Sequence, residues 1–149
     1  MANIVILRSM NNFAYRMLRN MLVGLSDEQV SYIAPAIDER PIAGIVAHAY
    51  SGAYLMSFAV AGKERPERPT PPSTAADLLA LLDSIHEQVD QNLANATDEA
   101  LAKTYKMPWG QEVGGLEALT GAFAHSIVHA GAIQGIRAMG GFPTPPERY

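Results

Sequence analysis

His125 and His129 stand four residues apart inside Leu116–Met139, a proline-free run of helical character. Residues at that spacing share one face of a helix, so the two imidazoles point the same way, close enough to hold one metal ion. His48 lies in the middle of a second apolar helical segment, Pro41–Ala61, so three of the four histidines fall within apolar helices. Unpaired imidazoles are costly to bury there. A divalent metal would satisfy all three, because zinc and similar ions accept neutral imidazole, and three protein ligands leave a position open for water or substrate. The bland alternative is a set of core or boundary histidines, each bonded to a carbonyl. Spacing alone leaves both open.

The neighbours of these histidines are small. Following the face of the fourth-helix pair gives Ala118, Ala122, Ala132 and Ile136, and Gly52 stands one turn past His48. Small side chains beside a polar trio predict a cavity where a core would normally be filled. No carboxylate is expected on that face, so a built-in general base is not evident. Ser51 and Ser126 flank the trio as candidate substrate contacts, although a hydroxyl bonded to its own helix is commoner. Arg137, two turns past His129, reads either as a contact for an anionic ligand at the bundle mouth or as a solvated cation near a helix C-terminus. His86 reads as a solvated flank. His86-Glu87-Gln88-Val89-Asp90 ends in aspartate where a zinc-protease helix has a second histidine. Asp83-Ser84-Ile85-His86 has the spacing of a di-iron helix but not its glutamate. Trp109 is expected to cap the core.

Four long helices must position these residues. The first runs from about Asn3 to Val23, with Phe13, Met17 and Met21 at helical spacing, and stops at Gly24. Ser26-Asp27-Glu28-Gln29 is a capping box opening a short helix to about Ile33. Pro41 suits the first position of the second long helix, whose inward stripe would be Ile45, His48, Gly52, Leu55 and Ala59. Lys63–Ser73, with Pro66, Pro69, Pro71 and Pro72, is a stiff exposed connector. The third helix starts near Thr74 and buries Leu78, Leu82, Ile85, Val89 and Leu93. Thr97-Asp98-Glu99 opens a short turn or helix, and Lys103–Gly115 reads as a loop or small β-hairpin. The fourth helix stops at Gly140-Gly141, leaving residues 141–149 as an extended tail. Together these predict an all-α fold, a four-helix bundle with long connections and at least one crossover, in a single domain over 1–149.

Composition narrows the function classes. A hydrophobic share of 48% with 17% charged residues suits a compact chain. The net charge is −4 and the basic residues are scattered, which argues against nucleic acid as a partner. The chain has no cysteine, which excludes disulfides, thiolate metal sites and a protein thiol nucleophile, and fits a reducing cytoplasm. Met1–Arg8 lacks the pattern of a signal peptide. The histidines, Glu117 and Gln134 make Leu116–Gly135 a bundle core in preference to a membrane span.

Three segments carry a family likeness. Gly24-Leu-Ser-Asp-Glu-Gln-Val30, Pro41-Ile-Ala-Gly-Ile-Val-Ala-His48-Ala and His125-Ser-Ile-Val-His129-Ala-Gly-Ala-Ile-Gln-Gly-Ile-Arg137 resemble the first loop, second helix and closing signature of the DinB/YfiT-like superfamily. The resemblance covers nearly the whole chain. It implies a helical bundle holding one divalent metal, zinc or nickel, on His48, His125 and His129. It also implies a homodimer, for which the apolar first helix offers an interface. Its enzymes resemble transferases or isomerases that use a low-molecular-weight thiol on a small-molecule substrate. One departure is Ala132, where many relatives carry glutamine. The leading expectation is thus metal-dependent thiol transfer. The alternatives are a metal-dependent hydrolase, weakened by the lack of a proton donor, and a non-enzymatic stress-related protein that binds metal or a small apolar ligand.

Overall fold

Capping side chains start three of the helices in a computed structural model that describes residues 2–145. The end of the expected tail, residues 146–149, lies outside the described residues. The order is α1 (Ala2–Leu22), α2 (Asp27–Val30), α3 (Ile42–Val60), α4 (Ala75–Ala94), α5 (Asp98–Ala102), β1 (Thr104–Lys106), β2 (Glu112–Gly114) and α6 (Gly115–Gly140). The Ser26 hydroxyl accepts from the Gln29 amide at 3.2 Å and Gln29 Oε1 accepts from the Ser26 amide at 3.0 Å, a complete capping box. The helix it opens is a single turn ending at Val30, shorter than the span to Ile33 that the sequence suggests, because the chain turns into the Ala34–Asp38 bridge. Thr74 and Thr97 cap α4 and α5 by accepting from Asp77 and Ala100 amides, each at 3.1 Å. At the end of α6, Gly141 takes a left-handed φ of 66° and the Phe142 amide returns to the Arg137 carbonyl at 2.9 Å.

The hairpin expected between the third and fourth long helices is present. β1 and β2 pair antiparallel with Tyr105 opposite Val113. It is held close to the bundle because α5 rests on the start of α6: a Cβ at Gly115 would lie 2.9 Å from the Ala100 carbonyl oxygen, so only glycine fits.

The long helices form the expected bundle. α1 packs on α4 and α6, and α3 packs on the same two helices, so α1 stands diagonally across from α3. The connections α1 to α3 and α4 to α6 therefore both cross a diagonal. Leu7, Leu18, Ile45, Leu78, Leu82, Val89, Leu119, Phe123 and Ile133 are all sealed in one core. α3 is long and apolar enough to cross a membrane, yet 67% of that stretch is buried in the bundle, against α4 and α6. Its Tyr50 reaches across the diagonal to donate to the Asn11 side chain on α1. Phe13 departs from the sequence pattern: α1 turns Leu7, Asn11, Ala14 and Leu18 inward, which leaves Phe13 on the opposite, exposed side.

Candidate metal centre

Small residues let α3 and α6 approach closely. A Cβ at Gly52 would meet the Ala122 methyl at 3.5 Å, and the Ser126 hydroxyl on α6 donates to the Ala49 carbonyl on α3 at 2.9 Å. One turn from this contact, the approach brings His48 of α3 face to edge with both histidines of α6. His48 Nε2 and His125 Nε2 are 3.2 Å apart. Ring centroids lie 5.1 Å apart for His48–His125, 5.0 Å for His48–His129 and 4.4 Å for His125–His129, with planes 74–89° apart. One nitrogen from each ring can be chosen so that all lie within 4.8 Å of one another.

This donor set suits a metal. Zinc–nitrogen bonds of about 2.0–2.1 Å in a tetrahedron put ligand nitrogens roughly 3.3 Å apart, close to the His48–His125 distance. In place of the backbone carbonyls of the bland alternative, His48 meets the ring nitrogen of His125 at hydrogen-bond distance. Burial lowers the pKa of His48, helped by the positive charge of Arg40 and by His125, and burial lowers that of His129, helped by His125 and His48. Asp38 opposes both shifts. The result favours neutral imidazole, the form that binds metal.

A cavity of about 690 Å³ opens beside His48 and His125, within the roughly 300–1,000 Å³ typical of small-molecule sites. Gly52, Ala118 and Ala122 line it as their size predicts, together with Leu55 and Met56. The hairpin forms its outer wall and the proline-rich connector adds Arg65 and Arg68. A second cleft of about 350 Å³ lies on the other side of His48, between Arg40, Gly44, Arg68 and Pro71.

Several expectations change here. Trp109 does not cap the core: the hairpin carries it out to the cavity wall, where it is 71% exposed. The cavity does contain a carboxylate, Glu117, on the face of α6 where none was expected. Ser51 lines both cavities, with its hydroxyl donating to the His48 carbonyl at 2.9 Å. Ser126 is fully buried, and its hydroxyl is shared between the Ala49 and Ala122 carbonyls, so it ties two helices together and does not face a substrate. Arg137 is neither a ligand contact nor a solvated cation. It is 2% exposed and donates to the carbonyls of Met21 at 2.7 Å, Val23 at 3.1 Å and Pro143 at 2.9 Å. His86 is no solvated flank either, since its ring packs flat on Tyr15. Ala132 is half-buried on α6.

Arg40, Arg65 and Arg68 stand around the site, although Lys63–Arg68 reads in the sequence only as the densest basic group of an exposed connector, interleaved with Glu64 and Glu67. Arg40 offered one signal: it stands two helical turns before His48, next to the proline that opens the helix. It is held by Asp38 at 3.2 Å.

The sequence pattern of the DinB superfamily matches residues 11–133, most of the chain. Among solved structures, the mycothiol-dependent maleylpyruvate isomerase and a histidine-to-alanine mutant of it share this fold. The mutant superposes with a TM-score of 0.66 at 15% identity and the other structure with 0.59 at 16%. Each match covers 87% of this chain and 60% of the other, so this chain spans well under the full length of those proteins. No curated protein matches significantly.

Proposed function

We propose that this chain, which belongs to the DinB superfamily, is a metal-dependent enzyme that uses a low-molecular-weight thiol on a small-molecule substrate. The observation that carries this is the convergence of His48, His125 and His129, the first two of which line a largely apolar cavity. These three side chains would hold one divalent ion, zinc or nickel. When bound, the ion would supply a nucleophile at neutral pH by lowering the pKa of a coordinated thiol or water.

The chain's own residues shape what that nucleophile can be. With no cysteine in the protein, any thiol must come from outside. The apolar walls from Leu55, Met56 and Ala118 would keep water away from an activated sulfur. Glu117 is eight residues before His125 on the same helix, about 12 Å along the axis at 1.5 Å per residue. That is too far for a base acting on a ligand at the trio, which weakens the hydrolase alternative. The solved structures that share this fold are named mycothiol-dependent maleylpyruvate isomerase, which supports the thiol reading.

The test is elemental analysis of purified protein, followed by cobalt substitution and titration with small thiols. About one metal per chain and a thiolate-to-cobalt absorption band are expected. Metal without a thiol band would favour hydrolysis or simple metal binding, and metal-free protein would reject all three readings. We further propose a cytoplasmic homodimer. Val5, Ile6 and Phe13, 69%, 56% and 45% exposed, lie on one side of α1 and offer its interface. Sedimentation at equilibrium would reject this if Val5→Glu and wild type were both monomers.

A further inference from the structure

The chain as a whole is acidic, with 15 Asp and Glu against 11 Lys and Arg. The walls around the histidine trio have the opposite balance. Arg40, Lys63, Arg65, Arg68 and Lys106 line the two cavities, with Glu117 the carboxylate among the lining residues. Two of these cations are already engaged. Arg40 pairs with Asp38 at 3.2 Å and Lys63 donates to Asn92 at 2.6 Å. Among the described residues, Arg65 and Arg68 form no ion pair or hydrogen bond. Arg68 is the more informative of the two, because it lines both the large cavity and the smaller cleft, where the two meet at His48 and Ser51.

A concave site with apolar walls and cations of one sign focuses a positive field inward. The apolar part is substantial: Leu55, Met56, Ala59, Met107 and Val113 face the same space as Trp109. A small inorganic anion would leave that surface bare, and an uncharged apolar molecule would leave the guanidinium without a partner. Arg68 sits in a connector stiffened by Pro66, Pro69, Pro71 and Pro72. Its backbone therefore loses little freedom when a ligand binds. A planar fork of N–H donors matches a carboxylate with two parallel hydrogen bonds.

We propose that the substrate is an apolar carboxylic acid, its body lying between α3, α6 and the Trp109 hairpin and its carboxylate held by Arg68 with Arg65 beside it. This deepens the functional reading above by naming the substrate class for the same cavity. Trp109 is the only tryptophan in the chain and lines the cavity, so its fluorescence reports occupancy directly.

The experiment titrates octanoate and its uncharged isostere octanamide into the full chain, once with a chelator and once loaded with zinc. Octanoate is expected to bind at least about tenfold more tightly than octanamide in both states, as a charge-assisted bond to arginine implies. Arg68→Gln should abolish that preference while leaving octanamide unchanged, and Arg68→Lys should restore part of it. Rising salt should erode the preference in wild type. Equal affinity for acid and amide overturns the proposal, as does an undiminished preference in Arg68→Gln. A preference seen only with zinc also overturns it, because the carboxylate would then be bound by the metal. Should zinc fail to bind at all, the metal reading fails, while the comparison of acid with amide still decides this proposal.

Discussion

Between α3 and α6, three imidazoles meet with their edges converging on one point and their planes steeply inclined. Between α1 and α4, the single imidazole of His86 lies flat against Tyr15, with ring centroids 4.0 Å apart and planes at 13°. Carboxylates surround His86, yet each is engaged elsewhere. Asp83 accepts from the Tyr15 hydroxyl at 2.8 Å and from Arg19 at 3.2 Å, and Asp90 is bound by Arg8 at 2.7 Å. The buried Nδ1 of His86 has no hydrogen-bond partner. A histidine among acids is therefore not a metal site by proximity. What matters is whether nitrogen lone pairs converge and whether the neighbouring oxygens are free. In the first pair of helices the nitrogens converge beside a cavity, and in the second the ring serves as a packing surface with its charges paired off around it.

The largest test of this contrast removes one histidine from each interface. His125→Ala should weaken metal binding at least about a hundredfold, more than the loss of an outer-shell partner costs, with helical content unchanged because His125 is exposed. His86→Ala should leave the metal content at the wild-type level. Elemental analysis and circular dichroism on both variants would decide, and equal metal loss would erase the distinction.

A smaller effect is expected where the two interfaces are joined. Asn11 accepts the buried Tyr50 hydroxyl from α3 and donates to the His86 carbonyl of α4 at 3.3 Å. Asn11→Ala should cost about 1–3 kcal/mol in urea unfolding by leaving a buried phenol without its side-chain partner. Its metal content should not change.

The third test is pH. Burial lowers the pKa of His86 from its ordinary 6.5, against the opposing pull of Asp90, Asp83 and Glu87. A folded value below the unfolded one means that this stability is present above pH 6.5 and is lost as pH falls through the folded value. His86→Phe keeps the stack and removes the titration, so its urea midpoint should fall less steeply on acidification than that of wild type. A parallel decline would show that His86 contributes nothing to the acid response. Least of all should Arg8→Gln matter, since the Arg8–Asp90 pair has side chains 46% and 29% exposed. Its unfolding midpoint at physiological salt should match wild type within error. The little it does change should appear above the ordinary carboxylate range, because Arg8 holds Asp90 below that range.

Much of the bundle was readable because its signals are local. Ser26, Thr74 and Thr97 announce helix starts through bonds that span three residues. The His125–His129 pair is set by helical periodicity alone. His48 needed more, since its approach to that pair depends on Gly52 and Ala122 allowing two helices to close up. The bond of Ser126 to its own helix, at the Ala122 carbonyl, follows a local rule, but its reach to Ala49 and that of Arg137 to Met21 and Val23 escaped because those backbone carbonyls lie far along the chain and leave no mark in side-chain patterning. His86 escaped because stacking on Tyr15 joins two helices without any spacing rule. Trp109 was misplaced because it lies in the turn of a hairpin that lines the cavity, beside Gly110 at a φ of 92°, and no local spacing marks where such a turn comes to rest.

The guanidinium of Arg137 bonds to the Met21 carbonyl across a separation of 116 residues. Closing so long a loop before the helices between have packed costs much chain entropy, so the contact is expected late in folding. It should therefore be absent from the folding nucleus and present in the finished bundle. Replacing Arg137 would then hasten unfolding while barely slowing refolding, which makes this one cation a latch on the lifetime of the native state.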